Sequence, residues 1–177
     1  THQSAELYSI LDNHDIDVVV RELMGPDSIV DLNVRTHQSA ELYSILDNHD
    51  IDVAFVFYHL YYKNIICEQV FQEKFYLMQS TQPEVAKPLV HTEELDPSRE
   101  IFLKWDDPYQ LWHNQWLTNY SRPCVSTDTI TLARRLWQEG ESWMIAPESV
   151  VCDMAHSRPV YVSELKNPPP DRCCYKI

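Results

Sequence analysis

The sequence predicts an α/β protein with mostly parallel strands. Strand-like and helix-like stretches alternate along most of the chain, the pattern of a sheet covered by helices. Residues 31–58 alone contain a complete strand, helix and strand. Two hydroxyl-rich turns, THQS at 36–39 and STDT at 126–129, each lead from a strand into a helix. Of 177 residues, 44% are hydrophobic, so a packed core is feasible in one domain or in two small lobes.

Residues 31–35 (DLNVR) alternate polar and apolar as a half-buried strand does. A helix follows over 39–48, with Leu42, Ile45 and Leu46 at one-face spacing and Glu41 favourably placed in the first turn. His49 ends that helix. Residues 51–58 (IDVAFVFY) form a nearly continuous apolar run, which predicts a central strand covered on both faces. The crossover of this βαβ unit should be right-handed.

Residues 73–79 (EKFYLMQ) read as the next strand, 80–98 as a polar loop bearing Pro83, Pro88 and Pro97, and 101–104 as a short strand. Asp107 is the expected N-cap of a helix with Pro108 at its first position. That helix should carry Leu111, Trp112 and Trp116 on one side and end near Asn119. Residues 124–126 give a brief strand. The helix after it should bury Ile130, Ala133, Leu136 and Trp137, place Arg134 and Arg135 at the negative end of its dipole and close at Gly140. A strand over 142–146, a short helix over 147–154, and strands over 159–165 and 172–177 complete the chain, the last two returning to the first lobe.

Residues 1–18 (THQSAELYSILDNHDIDV) recur unchanged at 36–53. Repeats normally drift, so perfect identity points to an artefact or a very recent duplication. The segment between the copies holds a helix-end fragment (RELM) and a Gly25-Pro26 turn. The first copy stands where the first strand and helix of such a domain belong.

Composition excludes several function classes. The formal net charge of −13 repels phosphate backbones, so nucleic acid is not an expected partner of this chain alone. With only Gly25 and Gly140, no glycine-rich nucleotide loop or nucleophile elbow can exist. No apolar run reaches the length of a membrane span, and the N-terminus lacks the order of a secretion signal. The five cysteines (Cys67, Cys124, Cys152, Cys173, Cys174) form no C-x-x-C pair and read as reduced thiols of a cytoplasmic protein.

Candidate chemistry gathers at the two turns. In α/β sheets, ligands bind beyond the carboxyl ends of strands, where free backbone N–H groups and nearby hydroxyls receive anions. Ser39, and Ser126 or Asp128, would equally serve as plain helix caps; the occurrence of one such turn in each half suggests a two-jaw cleft. A small carboxylate suits the hydroxyls at short range, while the net charge opposes it at long range. All five tryptophans fall between Trp105 and Trp143, as an aromatic pocket or as core, and helical spacing of Trp112, Trp116 and Trp137 favours core. The cluster 48–52 (NHDID) lacks metal-ligand spacing. A helix could bring Cys152 and His156 onto one face, but no orienting residue or oxyanion hole accompanies them. Neither cofactor, metal nor catalysis is expected.

The stretches VRTHQSAELYSILDNHDIDVAFVF, EKFYLMQS and CVSTDTITLARRLWQEGESWMIAPESVV, in that order, resemble the effector-binding domain of LysR-type transcriptional regulators. The resemblance covers residues 21–177. It implies two Rossmann-like lobes joined by two crossover strands, of the type 2 periplasmic-binding-protein-like kind. Lobe I would comprise 21–76 and 161–177, and lobe II 77–160, with 1–20 left over as the duplicated segment. It further implies a small-molecule effector held between the lobes, and the hydroxyls of the two turns favour a small organic anion in that place. Thr36, Gln38 and Ser39 match the first-lobe turn, and Ser126, Thr127 and Thr129 the second. Val56, Phe57 and Tyr58 approach the same place, with Ser80 and Trp105 matched more loosely. Also implied are a homodimer or tetramer and DNA contact only through a winged helix-turn-helix domain that this sequence lacks. A solute-binding transport component would share the fold and is the alternative.

Overall fold

The structure is a computed structural model that describes residues 3–9, 30–35, 37, 39–82, 89–117, 123–137 and 142–177. The chain divides into two compact units, Thr1–Gln72 with Cys173–Ile177, and Glu73–Arg172.

The sheet of the first unit contains β1 (Gln3–Ser9), β2 (Val30–Arg35), β3 (Val53–Val56), β4 (Glu68–Glu73) and β11 (Arg172–Lys176), in the order β2-β1-β3-β11-β4. β1 runs parallel to β2 and β3, with Leu7 opposite both Val34 and Val53. β11 is antiparallel to β3. β3 is thus the middle strand, as its apolar sequence predicted, and Ala54, Phe55 and Val56 are all buried. The first copy of the repeat occupies the place of a first strand. Its QSAELYS segment is β1, whereas Ser39–Asp47 in the second copy is the helix α1. The same residues therefore take both forms, and tertiary pairing overrides local propensity.

Helix α1 covers β3 through Leu42 and Tyr43, with Ile45 and Leu46 partly buried beside them. It ends in a Schellman motif: the Asp50 N–H donates to the Ile45 carbonyl at 3.1 Å and the His49 N–H to the Leu46 carbonyl at 3.0 Å. His49 accordingly takes φ 61°, a left-handed conformation that glycine would adopt without steric cost. The Gly25-Pro26 turn lies outside the described residues.

The second unit is built on β5 (Phe75–Gln79) and β9 (Trp143–Pro147), antiparallel neighbours. Alternation along both strands sends side chains to two cores. Phe75, Leu77, Trp143 and Ile145 face α2 (Asp107–Trp116) through Tyr109 and Trp112. Met78, Met144 and Ala146 face α3 (Ile130–Leu136) and α4 (Glu148–Ser157) through Ile130, Ala133, Val150, Val151 and Met154. β10 (Tyr161–Leu165) and β6 (Leu89–Val90) extend the sheet in the order β6-β10-β5-β9. β7 (Ile101–Leu103) and β8 (Val125–Thr127) pair in parallel.

Several expectations need correction. The sheets are mixed rather than mostly parallel: β5 is antiparallel to both β9 and β10. β10 joins the sheet of the second unit and not that of the first, because it pairs with β5. β4 was not foreseen, since EQVFQE is largely exposed and shows no apolar alternation. Asp106, not Asp107, caps α2: its carboxylate accepts from the Tyr109 N–H at 2.7 Å. Leu111 is 71% exposed, and Tyr109 and His113, three residues before and one after Trp112, form the buried face with it. The predicted ends at Asn119 and Gly140 lie outside the described residues.

Replacing His49 by glycine should stabilise the chain by about 0.5–1 kcal/mol by relieving the left-handed residue. His49→Val should destabilise it, and urea unfolding midpoints of the two variants will test both signs.

Candidate functional site

The hydroxyl turn of the first unit is anchored on one side by Ser39, the first residue of α1. Its Oγ accepts from the Phe57 N–H at 3.3 Å, so helix start and strand end are tied together. Phe57 is buried and meets Phe71 edge-on, while Tyr58 is exposed. Thr36 and Gln38 lie outside the described residues.

Sequence reasoning missed the residue that fixes this corner. The buried Tyr43 hydroxyl donates to the Tyr58 carbonyl at 2.8 Å and accepts from the Leu60 N–H at 2.9 Å. It thereby satisfies two backbone groups where the chain leaves β3. In the sequence Tyr43 is only one more apolar position of α1, and nothing there signals a partner 15 to 17 residues away. Burial pushes the Tyr43 phenol up to about 12. The Cys67 thiol beside it is also pushed up by burial, the opposite of what a nucleophile needs.

In the second unit, Ser126, Thr127 and Thr129 share one turn. Ser126 is exposed in the middle of β8, opposite Phe102 of β7. Thr127 is buried, and its hydroxyl accepts from the Thr129 N–H at 3.3 Å. Thr129, rather than Ser126 or Asp128, is the cap of α3, accepting from the Leu132 N–H at 3.4 Å. Ser126 and Asp128 are thus left exposed without a capping role. Ser80 is buried, its hydroxyl exchanging hydrogen bonds with the backbone of Ser142 at 3.0 and 2.9 Å. Trp105 is half-buried, its indole N–H donating to the Ile145 carbonyl at 2.8 Å. Ser80 and Trp105 therefore both brace the β9 segment.

The other tryptophans behave mainly as core. Trp112, Trp137 and Trp143 are buried, and the indoles of Trp112 and Trp143 donate to the Asn167 and Asp96 carbonyls. The imidazole of His156 engages the Cys152 backbone carbonyl at 2.6 Å rather than the thiol. All five cysteines are free. A cavity of about 400 Å³ opens in the first unit between Leu46, His49, Ile51, Ile65 and Ile177. It lies at the end of α1 remote from Ser39, so it is separate from the hydroxyl turn. No helix among the described residues is long and apolar enough to cross a membrane.

The geometry can be set beside known proteins. Residues 25–176 match the family model of the LysR substrate binding domain. The chain belongs to that family. The reduced regulatory domain of OxyR from Pseudomonas aeruginosa is similar to it at 16% identity and a TM-score of 0.77, over 98% of this chain and 87% of that one. The reduced regulatory domain of OxyR2 from Vibrio vulnificus gives 14% identity and a TM-score of 0.75, over 99% and 86%. Full-length CbnR, solved in complex with its target DNA, gives 16% and 0.66, over 98% of this chain and 60% of CbnR. At these identities the likeness establishes the fold, the two-lobed type 2 periplasmic-binding-protein-like α/β fold of LysR domains. No curated protein sequence matches the chain.

The raised Tyr43 phenol has a consequence for pH. Unfolded tyrosine ionises near about 10, so between about 10 and about 12 the folded chain binds more protons than the unfolded one. The unfolding free energy should fall as pH rises through this window. Tyr109, raised by its own burial, acts in the same direction. Tyr43→Phe should flatten part of that fall and cost about 1–3 kcal/mol near neutrality, because two backbone groups lose their partner. Urea unfolding at several pH values will measure both effects.

Proposed function

We propose that this chain senses a small organic anion on behalf of a LysR-type transcription regulator. The single observation that carries this reading is the family match over residues 25–176. Among the described residues, the exposed Ser126 hydroxyl and the Ser39 hydroxyl at the start of α1 are the groups best suited to adjustable hydrogen bonds with such a ligand. Thr36, Gln38, Phe57, Tyr58, Ser80, Trp105, Thr127 and Thr129 complete the proposed effector contacts. Binding acts by population shift, since an effector that prefers one arrangement of the domain increases its share. No bond is made or broken. The functional unit is a homodimer or tetramer in the cytoplasm, and it reaches DNA through a separate domain. Family and solved relatives alike are regulators, and nothing specific favours the transport alternative.

A thermal-shift screen of small carboxylic acids and amino acids tests the reading. A binder present at 100 times its Kd adds about 2.7 kcal/mol to stability and raises the melting temperature. Ser126→Ala combined with Thr127→Ala should weaken that binder about tenfold or more. The melting temperature of the same variant without ligand separates lost binding from lost folding, and an undiminished shift would move the site elsewhere.

A further inference from the structure

The chain passes between its two compact units at two points, Gln72 to Glu73 and Arg172 to Cys173. Glu73 is the last residue of β4 and Arg172 the first of β11, and these strands are neighbours in one sheet. Both side chains are buried, at 7% and 5% exposure. Arg172 Nη1 donates to Glu73 Oε1 at 3.5 Å.

Each partner is also held by the second unit. Helix α4 has Pro147 at its N-cap, which offers no side-chain acceptor. Glu73 supplies one from a distant part of the chain: its Oε2 accepts from the Ser149 N–H at 3.0 Å. The Glu148 N–H donates to the Lys74 carbonyl at 2.9 Å alongside. The Arg172 guanidinium lies 5.3 Å from the centre of the Trp105 ring, and Trp105 is itself fixed to β9. A buried ion pair is a poor source of net stability, because desolvation offsets its attraction. What it supplies is direction: a planar guanidinium held on a ring and paired with a carboxylate has few alternative positions.

We infer that Glu73 and Arg172 form a clamp that joins the two connecting strands to each other and to the second unit. β4 and β11 then leave that unit as one stiff pair. A regulator that responds by changing shape needs such a fixed point. The clamp itself requires no effector and stands apart from the identity of the ligand.

Hydrogen exchange on the full chain without ligand tests it. In Glu73→Gln and in Arg172→Lys, which keeps the charge but not the flat stacking group, peptides covering 69–76 and 170–175 should exchange about tenfold faster. Peptides of α1 and of β9 should change less than about twofold. Unchanged exchange at both crossings would overturn the clamp, as would an equal rise across the whole chain. Should both charge variants fail to fold, Trp105→Phe decides. It removes the bond to Ile145 while keeping a ring, and a rise limited to 170–175 supports the clamp, whereas none overturns it.

Discussion

Sheet strands buried on both faces leave their surroundings without water, and that constraint governs most of the specific contacts in this molecule. β5 and β9 have helices on either side, so every polar group nearby needs a partner from the protein. The indoles of Trp105, Trp112 and Trp143 each spend their one N–H on a backbone carbonyl. Ser80 closes the end of β5 against the residue before β9. Glu100 and His113 are buried together at 2.6 Å between β7 and α2. In the first unit Tyr43 does the same for the backbone after β3. Aromatic residues that look like bulk filler are therefore also the groups that fix how loops leave the sheet.

Much of the fold was legible because periodicity reports burial directly. The run 51–58 announced a central strand, and Leu42, Ile45 and Leu46 announced the inner face of α1. Trp112 fell on the inner face of α2 as its spacing required, whereas Trp137 is buried in extended backbone just past the end of α3. Where burial is slight, the signal vanishes: β4 is mostly solvated and holds its place by pairing with β11. Helix starts were less secure, since Asp106 and Asp107 are both competent caps and only backbone geometry selects the first. The assignment of residues 161–165 failed for another reason. Strand partners are set by long-range pairing, which no local pattern encodes.

The candidate site was legible as residue types and illegible as contacts. The two turns could be read from their hydroxyls. That Thr129 takes the capping role and leaves Ser126 exposed could not, because all four residues of STDT are capable caps. The Tyr43 link spans 15 residues, and the Glu73–Arg172 link spans 99. Such pairs are created by the topology, and a charged residue next to a strand reads as solvated until its partner arrives from the other end of the chain.

One segment carries a lesson of a different kind. QSAELYS is an extended ribbon at 3–9 and, from Ser39 on, a coil of α-helix. A single amino-acid exchange therefore has two meanings depending on the copy that receives it. A proline at position 43 would break the interior of a helix, whereas at position 8 it would disturb a strand flanked on both sides. Selection acting on such twins cannot keep them alike for long, because each address rewards different side chains.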